Sequence, residues 1–265
     1  MIGKTAHMVD SENAEAARVV TEVVGHTLVI TMVRHAKRNA IDQQMTTALD
    51  AALNRLDDDT DLWVGVLTGG PDMFCAGTDM AATSGTPTER GGIYGVVGRT
   101  RAKPLIAAVE GIAFGGGFEV VMACDMVVAA SDARFALPEV KRGLVASSGA
   151  LFRASRVLPL NVAKYLLATG AELSPTDAER HGLVNVICDS GDARRTALDL
   201  ASTISENSPV AVQLALQAVD RIVSATDDEA WAISREYRER VMASEDSAEG
   251  VAAFFEKRPP QWTGR

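Results

Sequence analysis

The sequence predicts an α/β core followed by an all-helical end. Three observations carry that reading. Between residues 18 and about 190, short apolar runs alternate with amphipathic stretches. Several of those runs, such as Leu62–Thr68, Pro104–Glu110 and Met126–Ala130, are apolar throughout, which is the pattern of buried strands. From about Gly191 the strand character stops and helical periodicity takes over. The chain has 265 residues, enough for one large domain or two small ones. The expected division is residues 1–190 as core and 191–265 as a helical region that covers the core or a neighbour.

In chain order, residues 1 to about 17 are polar and read as a loose tail. Arg18–Val24 and Thr27–Val33 around Gly25-His26 read as a β-hairpin. Arg34 to Ala40 is basic, lacks strand character and should be a loop. Gln43–Leu56 follows as a helix with Met45, Leu49, Leu53 and Leu56 on one face. Leu62–Thr68 is a strand, broken by Gly69-Gly70-Pro71. A second turn spans Met73–Asp79, and the Gly/Ser/Thr-rich stretch around Ala81 to Gly92 has the least ordered look inside the chain. Pro104–Glu110 is a strand and Phe118–Cys124 a helix. Met126–Ala130 is a strand, Ala133–Val140 a strand or loop edge, and Ser147–Arg156 a short helix. Ser174 then Pro175 mark a helix start, with Ser as N-cap and Pro at the first helical position, ending near Gly182. Residues 193–206, 209–223 and 227–242 read as three successive helices, and no sequence repeat is visible.

Composition narrows the function. A net charge of −9 argues against nucleic acid as the main partner. No apolar run is long enough to span a bilayer, and the N-terminus has no signal-peptide core. Cys75, Cys124 and Cys188 are odd in number, far apart and in apolar settings; they read as reduced, buried thiols in a cytoplasmic protein. No Cys/His spacing suggests a metal site. His26, His35 and His181 read as structural or surface residues.

The chemistry centres on Ile112–Glu119, Ile-Ala-Phe-Gly-Gly-Gly-Phe-Glu. Three bare residues between a strand and a helix gain folding nothing unless something approaches the main chain closely. The free N–H groups of the helix start suit a phosphate or a developing oxyanion. A second turn, Phe74–Asp79, also follows a buried strand. Thr78 and Gly116 are the candidate donors of a two-N–H oxyanion hole, with Ala76 the alternative if the register slips. Glu119 and Glu139 are the candidate acid and base, since two carboxyls in different environments divide such work. The basic residues Arg34, Lys37 and Arg38 are candidates for contacting phosphates.

These stretches together resemble the crotonase, or enoyl-CoA hydratase/isomerase, superfamily over nearly the whole chain. Six segments match in order: Arg34…Asn39-Ala40, Phe74–Asp79, Pro104–Glu119, Ala133–Glu139, Gly182–Asn185 and Glu249-Gly…Ala253–Arg258. The resemblance implies a crotonase-like spiral of repeated ββα units with a C-terminal helical region. It implies that Thr78 and Gly116 hold the thioester oxygen and that Glu119 and Glu139 are the catalytic pair of a 2-enoyl-CoA hydratase. It implies substrate contacts from Ala76, Asp79 and Met80, and from Lys257 of a neighbouring subunit. It further implies an acyl-CoA substrate with no metal or redox cofactor, CoA being part of the substrate. A homotrimer or a dimer of trimers is the implied assembly, with no nucleic acid or membrane partner.

The chain departs from the family pattern in two places. His35 stands where relatives carry Pro. Ala146-Ser-Ser-Gly-Ala150 stands where hydratases carry a Pro-Gly-x-Gly-Gly run, so Ser147 and Ser148 are expected to hydrogen-bond the reacting water or to change which acyl group fits. The alternative activities on this scaffold are enoyl-CoA isomerisation and other acyl-CoA dehydration or hydrolysis. A non-catalytic CoA-binding protein is disfavoured by the two glutamates.

Overall fold

The computed structural model describes residues 17–224 and 226–263. The expected polar tail falls almost wholly outside them. A hairpin opens the chain, β1 (Val19–Val24) and β2 (Thr27–Met32), antiparallel around Gly25-His26. Helix α1 (Gln43–Asp58) starts where the Asp42 carboxylate accepts the Met45 N–H at 2.8 Å. It runs two residues past the expected end, with Met45, Leu49, Leu53 and Leu56 fully buried. The strands β3 (Val64–Thr68), β4 (Leu105–Val109), β6 (Met126–Ala130) and β9 (Val186–Cys188) extend the sheet in the order β1-β2-β3-β4-β6-β9, parallel from β2 onward.

Both faces of this sheet are covered, which is why its strands read as unbroken apolar runs. Leu105, Ala107 and Val109 of β4 join the larger core with Leu28, Ile30 and Leu67. Ile106 and Ala108 face the other way, with Val29, Val66 and Val128, against Ala193, Ala197 and Ala201 of α6 (Ala193–Ser205). Alanine at every fourth position lets that helix lie close to the sheet.

Beyond the sheet the chain winds as a spiral. After each parallel strand it turns back and lays a short segment beside its predecessor. Thr78 bridges Ile41, and Cys75 bridges Ala113. Strand β5 (Ile112–Phe114) pairs with β7 (Arg134–Ala136), which pairs with β8 (Glu172–Leu173). The repeat is one of backbone placement, so it leaves no trace as a sequence repeat. It also changes one expectation. Between strand β4 and the glycines lies a second strand, β5, and helix α2 (Gly116–Met122) begins within the glycines.

The remaining elements are α3 (Ala150–Val157), α4 (Leu160–Thr169), α5 (Pro175–Arg180), α7 (Pro209–Val223), α8 (Asp227–Met242) and α9 (Glu245–Glu256). Ser174 caps α5 by accepting the Asp177 N–H at 3.1 Å. Among the described residues the helical end therefore holds four helices rather than three: Ser244 accepts the Ser247 N–H and starts α9 where no helix was expected. Helix α7 buries none of its residues, and Val210, Leu214 and Ile222 on it are exposed. Among the described residues no helix is long and apolar enough to cross a membrane.

Candidate active site

The spiral brings the two turns together. Cys75 N–H donates to Ile112 O at 2.9 Å, and Phe114 N–H donates to Cys75 O at 2.9 Å. Two glycines make this approach possible. Gly77 sits at φ +98°, where a Cβ would lie 2.8 Å from Phe114 O and 3.1 Å from Gly116 N. A Cβ on Gly117 would lie 2.4 Å from Cys75 O. Any side chain at either position forces the turns apart. On its other edge the first turn is held by Ile41 N–H to Gly77 O at 2.8 Å and Asp79 N–H to Ile41 O at 2.9 Å. That bridge leaves the Thr78 N–H on the opposite side, and Gly116 opens α2 with no carbonyl behind it. Neither N–H has an acceptor among the described residues. Ala76, the alternative donor, is spent: its N–H donates to Arg38 O at 3.0 Å.

The two glutamates meet in the same place because β5 lies beside β7. Glu119 projects from α2 and is 2% exposed; its Oε1 accepts the Ala150 N–H at 3.1 Å. Glu139 lies in the 3₁₀ turn Pro138–Arg142, with Oε1 3.0 Å from where a Gly115 Cβ would be. Burial, and then the negative charge of Glu139, raise the Glu119 carboxyl far above the ordinary range; the Ala150 and Ser148 groups beside it pull the other way. Burial also raises Glu139, against its own amide and Arg142. The Oε2 atom of Glu139 is buried and has no hydrogen-bond partner among the described residues. Two like charges set near one another oppose each other's ionisation, and the Glu139 charge is the second cause of the Glu119 rise. Beside Glu139 lies a cavity of about 130 Å³ lined by Leu137, Val140, Val145, Ala146, Leu151 and Leu167.

Tyr94 completes the site, and the sequence reading missed it. Its ring is buried and its hydroxyl lies 2.8 Å from Thr78 Oγ1 and 3.1 Å from Ser148 Oγ. A Cβ on Gly116 would lie 2.5 Å from the Tyr94 hydroxyl. The one signal in the sequence is a lone aromatic set among Gly91, Gly92 and Gly95. The stretch that looked least ordered is in fact pinned to α1. Thr86 N–H donates to Gln43 Oε1 at 2.6 Å, Thr88 Oγ1 donates to Asp50 Oδ1 at 2.8 Å, and the Arg99 guanidinium is held by Asp50, Asp57 and Asn54.

The basic loop divides. Arg34 is committed within the chain, to Asp79 at 2.7 Å and Asp42 at 3.2 Å, and to Ala40 O at 2.8 Å. A guanidinium so placed clamps the turn that carries Thr78 and is committed to carboxylates, where a cation free for a phosphate was expected. Asp79 is the other half of that clamp. Burial works to raise its carboxyl, but the Arg34 hydrogen bond and the Ala81 and Ala82 amides outweigh it and hold it low. Asn39 adds a second tie, donating to Gly69 O at 2.8 Å and Phe74 O at 3.0 Å. Lys37 and Arg38 remain exposed. Met80 is half-buried directly after the turn, and Lys257 is exposed where α9 ends. Cys75 is fully buried, while Cys124 and Cys188 are only half-buried. Among the described residues no group of His, Cys, Asp and Glu side chains is placed to hold a metal ion.

The model of the enoyl-CoA hydratase/isomerase family matches residues 22–265. An enoyl-CoA hydratase of Mycobacterium tuberculosis is 38% identical over 251 residues, covering 91% of this chain and 94% of its own. A carnitinyl-CoA dehydratase of Proteus mirabilis is 38% identical over 241 residues, covering 86% and 92%. The crystal structure of a carnitinyl-CoA hydratase from Mycobacterium avium superposes with a TM-score of 0.87 at 37% identity, over 94% of this chain and 99% of that one.

Proposed function

This chain belongs to the enoyl-CoA hydratase/isomerase family, and we propose that it adds water across the double bond of a 2-enoyl-CoA thioester to give a 3-hydroxyacyl-CoA. The observation that carries the proposal is the buried Glu119, with the buried Oε2 of Glu139, beside two main-chain N–H groups that lack acceptors. The thioester oxygen lies between the N–H groups of Thr78 and Gly116, which stabilise the enolate-like transition state; one such donor is worth about 3–4 kcal/mol. In the free protein Glu119, the more strongly raised of the two, holds a proton; with substrate bound the proton passes to Glu139, and Glu119, then ionised, takes a proton from the water that attacks C3. Glu139, protonated, supplies the proton to C2. The same groups run the dehydration in reverse. No metal or redox cofactor enters the proposed chemistry; CoA arrives and leaves as part of the substrate.

The apolar cavity beside Glu139 supports an acyl group with a short apolar part. Lys37 and Arg38 are the exposed cations left to meet the CoA phosphates, and Lys257 of a neighbouring subunit is proposed to join them. The exposed apolar face of α7 supports a cytoplasmic homotrimer or dimer of trimers in which the helical region meets a second copy. Hydration is favoured over acyl transfer to a serine because the Ser148 hydroxyl is engaged with Tyr94 and not with a histidine base. The test is direct. Adding the protein to 2-enoyl-CoA esters should bleach the enoyl-thioester absorbance and yield a product one water heavier. Free CoA, or an isomer with a moved double bond, would refute hydration.

A further inference from the structure

Tyr94 holds a backbone conformation that bulky residues avoid, φ +60° and ψ 4°, and such an outlier persists only where its surroundings enforce it. Here they do. The flanking Gly95 fits so tightly on α1 that a Cβ there would lie 2.3 Å from Thr46 O, and Arg99, 1% exposed in its side chain, bolts the segment to Asp50 and Asp57. The strained turn drives the ring inward, to 4% exposure, and sets its hydroxyl between two others. Ser148 Oγ donates to Tyr94 Oη at 3.1 Å, and Tyr94 Oη lies 2.8 Å from Thr78 Oγ1. Ser148 in turn stands beside Glu119, two residues before Ala150, whose N–H binds the Glu119 carboxyl.

We infer that Tyr94 is a positioning residue that works through Ser148: by accepting the Ser148 proton it keeps that proton off Glu119 and ties the oxyanion turn, at Thr78, to the catalytic carboxyl. The inference rests on the hydratase reading for its kinetic consequence, though not for its hydrogen-bond consequence. The groups facing Glu119 are Glu139 from the 3₁₀ turn, Tyr94 from the glycine-rich segment, Arg153 from α3, the Ser148 and Ala150 amides, and the Ser148 hydroxyl, which stands within reach of both the carboxyl and Tyr94. Of these only the Ser148 hydroxyl is shared with Tyr94. When the tyrosine hydroxyl is removed the serine proton is left to the carboxylate alone, and a donor to the charged form lowers the pKa.

The experiment uses Tyr94→Phe, which keeps the ring, in the wild-type and Ser148→Ala backgrounds. The Glu119 carboxyl is followed by NMR of protein labelled with carbon-13 glutamate, its resonance assigned by loss in Glu119→Gln. Tyr94→Phe should move the Glu119 titration to lower pH, and the Ser148→Ala background should abolish that shift. With a hydrated 2-enoyl-CoA substrate, kcat should fall about two- to ten-fold, the worth of one hydrogen bond, with KM little changed and the pH profile of kcat displaced in the same sense. An unmoved titration in Tyr94→Phe, or the same shift without Ser148, would overturn the inference. Because the titration is read without substrate, a protein that hydrates nothing would sink the functional proposal and leave this result standing on its own.

Discussion

Two regions of this molecule bury charge, and they do it in opposite ways. Around Arg99 and Arg34 every buried charge meets its opposite: Arg99 with Asp50 and Asp57, Arg34 with Asp42 and Asp79. At the site, two carboxyls face one another under a tyrosine, with burial raising all three. The first arrangement fixes a scaffold, because each ion is held by its partners. The second leaves carboxyls uncompensated and raised, the condition that the proposed acid–base chemistry requires. The compensated clusters flank the uncompensated one: Arg34 clamps the turn that carries Thr78, and Arg99 secures the segment that carries Tyr94. Removing a charge should therefore have opposite consequences in the two regions.

The largest contrast is in activity. Glu119→Gln and Glu139→Gln should each lower kcat by about 10²–10⁴-fold, the usual worth of a positioned acid or base, with KM little changed because the amide keeps the shape. The next is in stability. Arg99→Met takes the cation from Asp50 and leaves Asp57 only the exposed Arg90, and should cost about 3–5 kcal/mol in denaturant unfolding. Glu119→Gln should do the reverse. A glutamate whose pKa is raised in the fold keeps its proton where the unfolded chain has lost it. The native state therefore loses stability as pH rises from the ordinary carboxylate range through the raised value. The Gln variant escapes that loss, so its melting temperature should match wild type near about pH 5 and exceed it near about pH 8.5, by about 2–4 °C per kcal/mol recovered in a chain of this size. Equal melting temperatures at both pH values would show that Glu119 is not held protonated by burial. The smallest effect belongs to the exposed loop. Arg38→Ala should weaken binding of a CoA ester by about two- to five-fold, as exposed ion pairs do, and weaken the dephospho-CoA ester less; equal losses would end the phosphate assignment.

Much of the scaffold was legible because its signals are local. The hairpin around Gly25-His26, the apolar face of α1 and the Ser174–Pro175 helix start each lie within a few residues. Strand β5 was not, since three residues beside a glycine run carry no period of their own. The fourth helix of the C-terminal region was passed over although Ser244 and the acidic Glu245-Asp246 mark its start. At the site, the glycines and both glutamates were readable, the glycines from backbone chemistry and the glutamates as a pair through family resemblance. Arg34 was misjudged, since a basic run looks the same whether it meets a ligand or the carboxylates of Asp42 and Asp79, 8 and 45 residues away in sequence. Tyr94 was missed because its meaning lies in Thr78 and Ser148, 16 and 54 residues away, and in a strained φ that no composition rule announces.

The most direct test of the central claim, that Glu119 and Glu139 act as one unit on one water, is a comparison of the two Gln variants with the double variant on a 2-enoyl-CoA in ¹⁸O-labelled water, reading labelled 3-hydroxyacyl-CoA by mass. Groups that act together are not additive. The double variant should therefore be little slower than the slower single, with label at C3 in whatever product forms. Full hydration by either Gln variant, or two losses that multiply in the double, would contradict the shared-water mechanism.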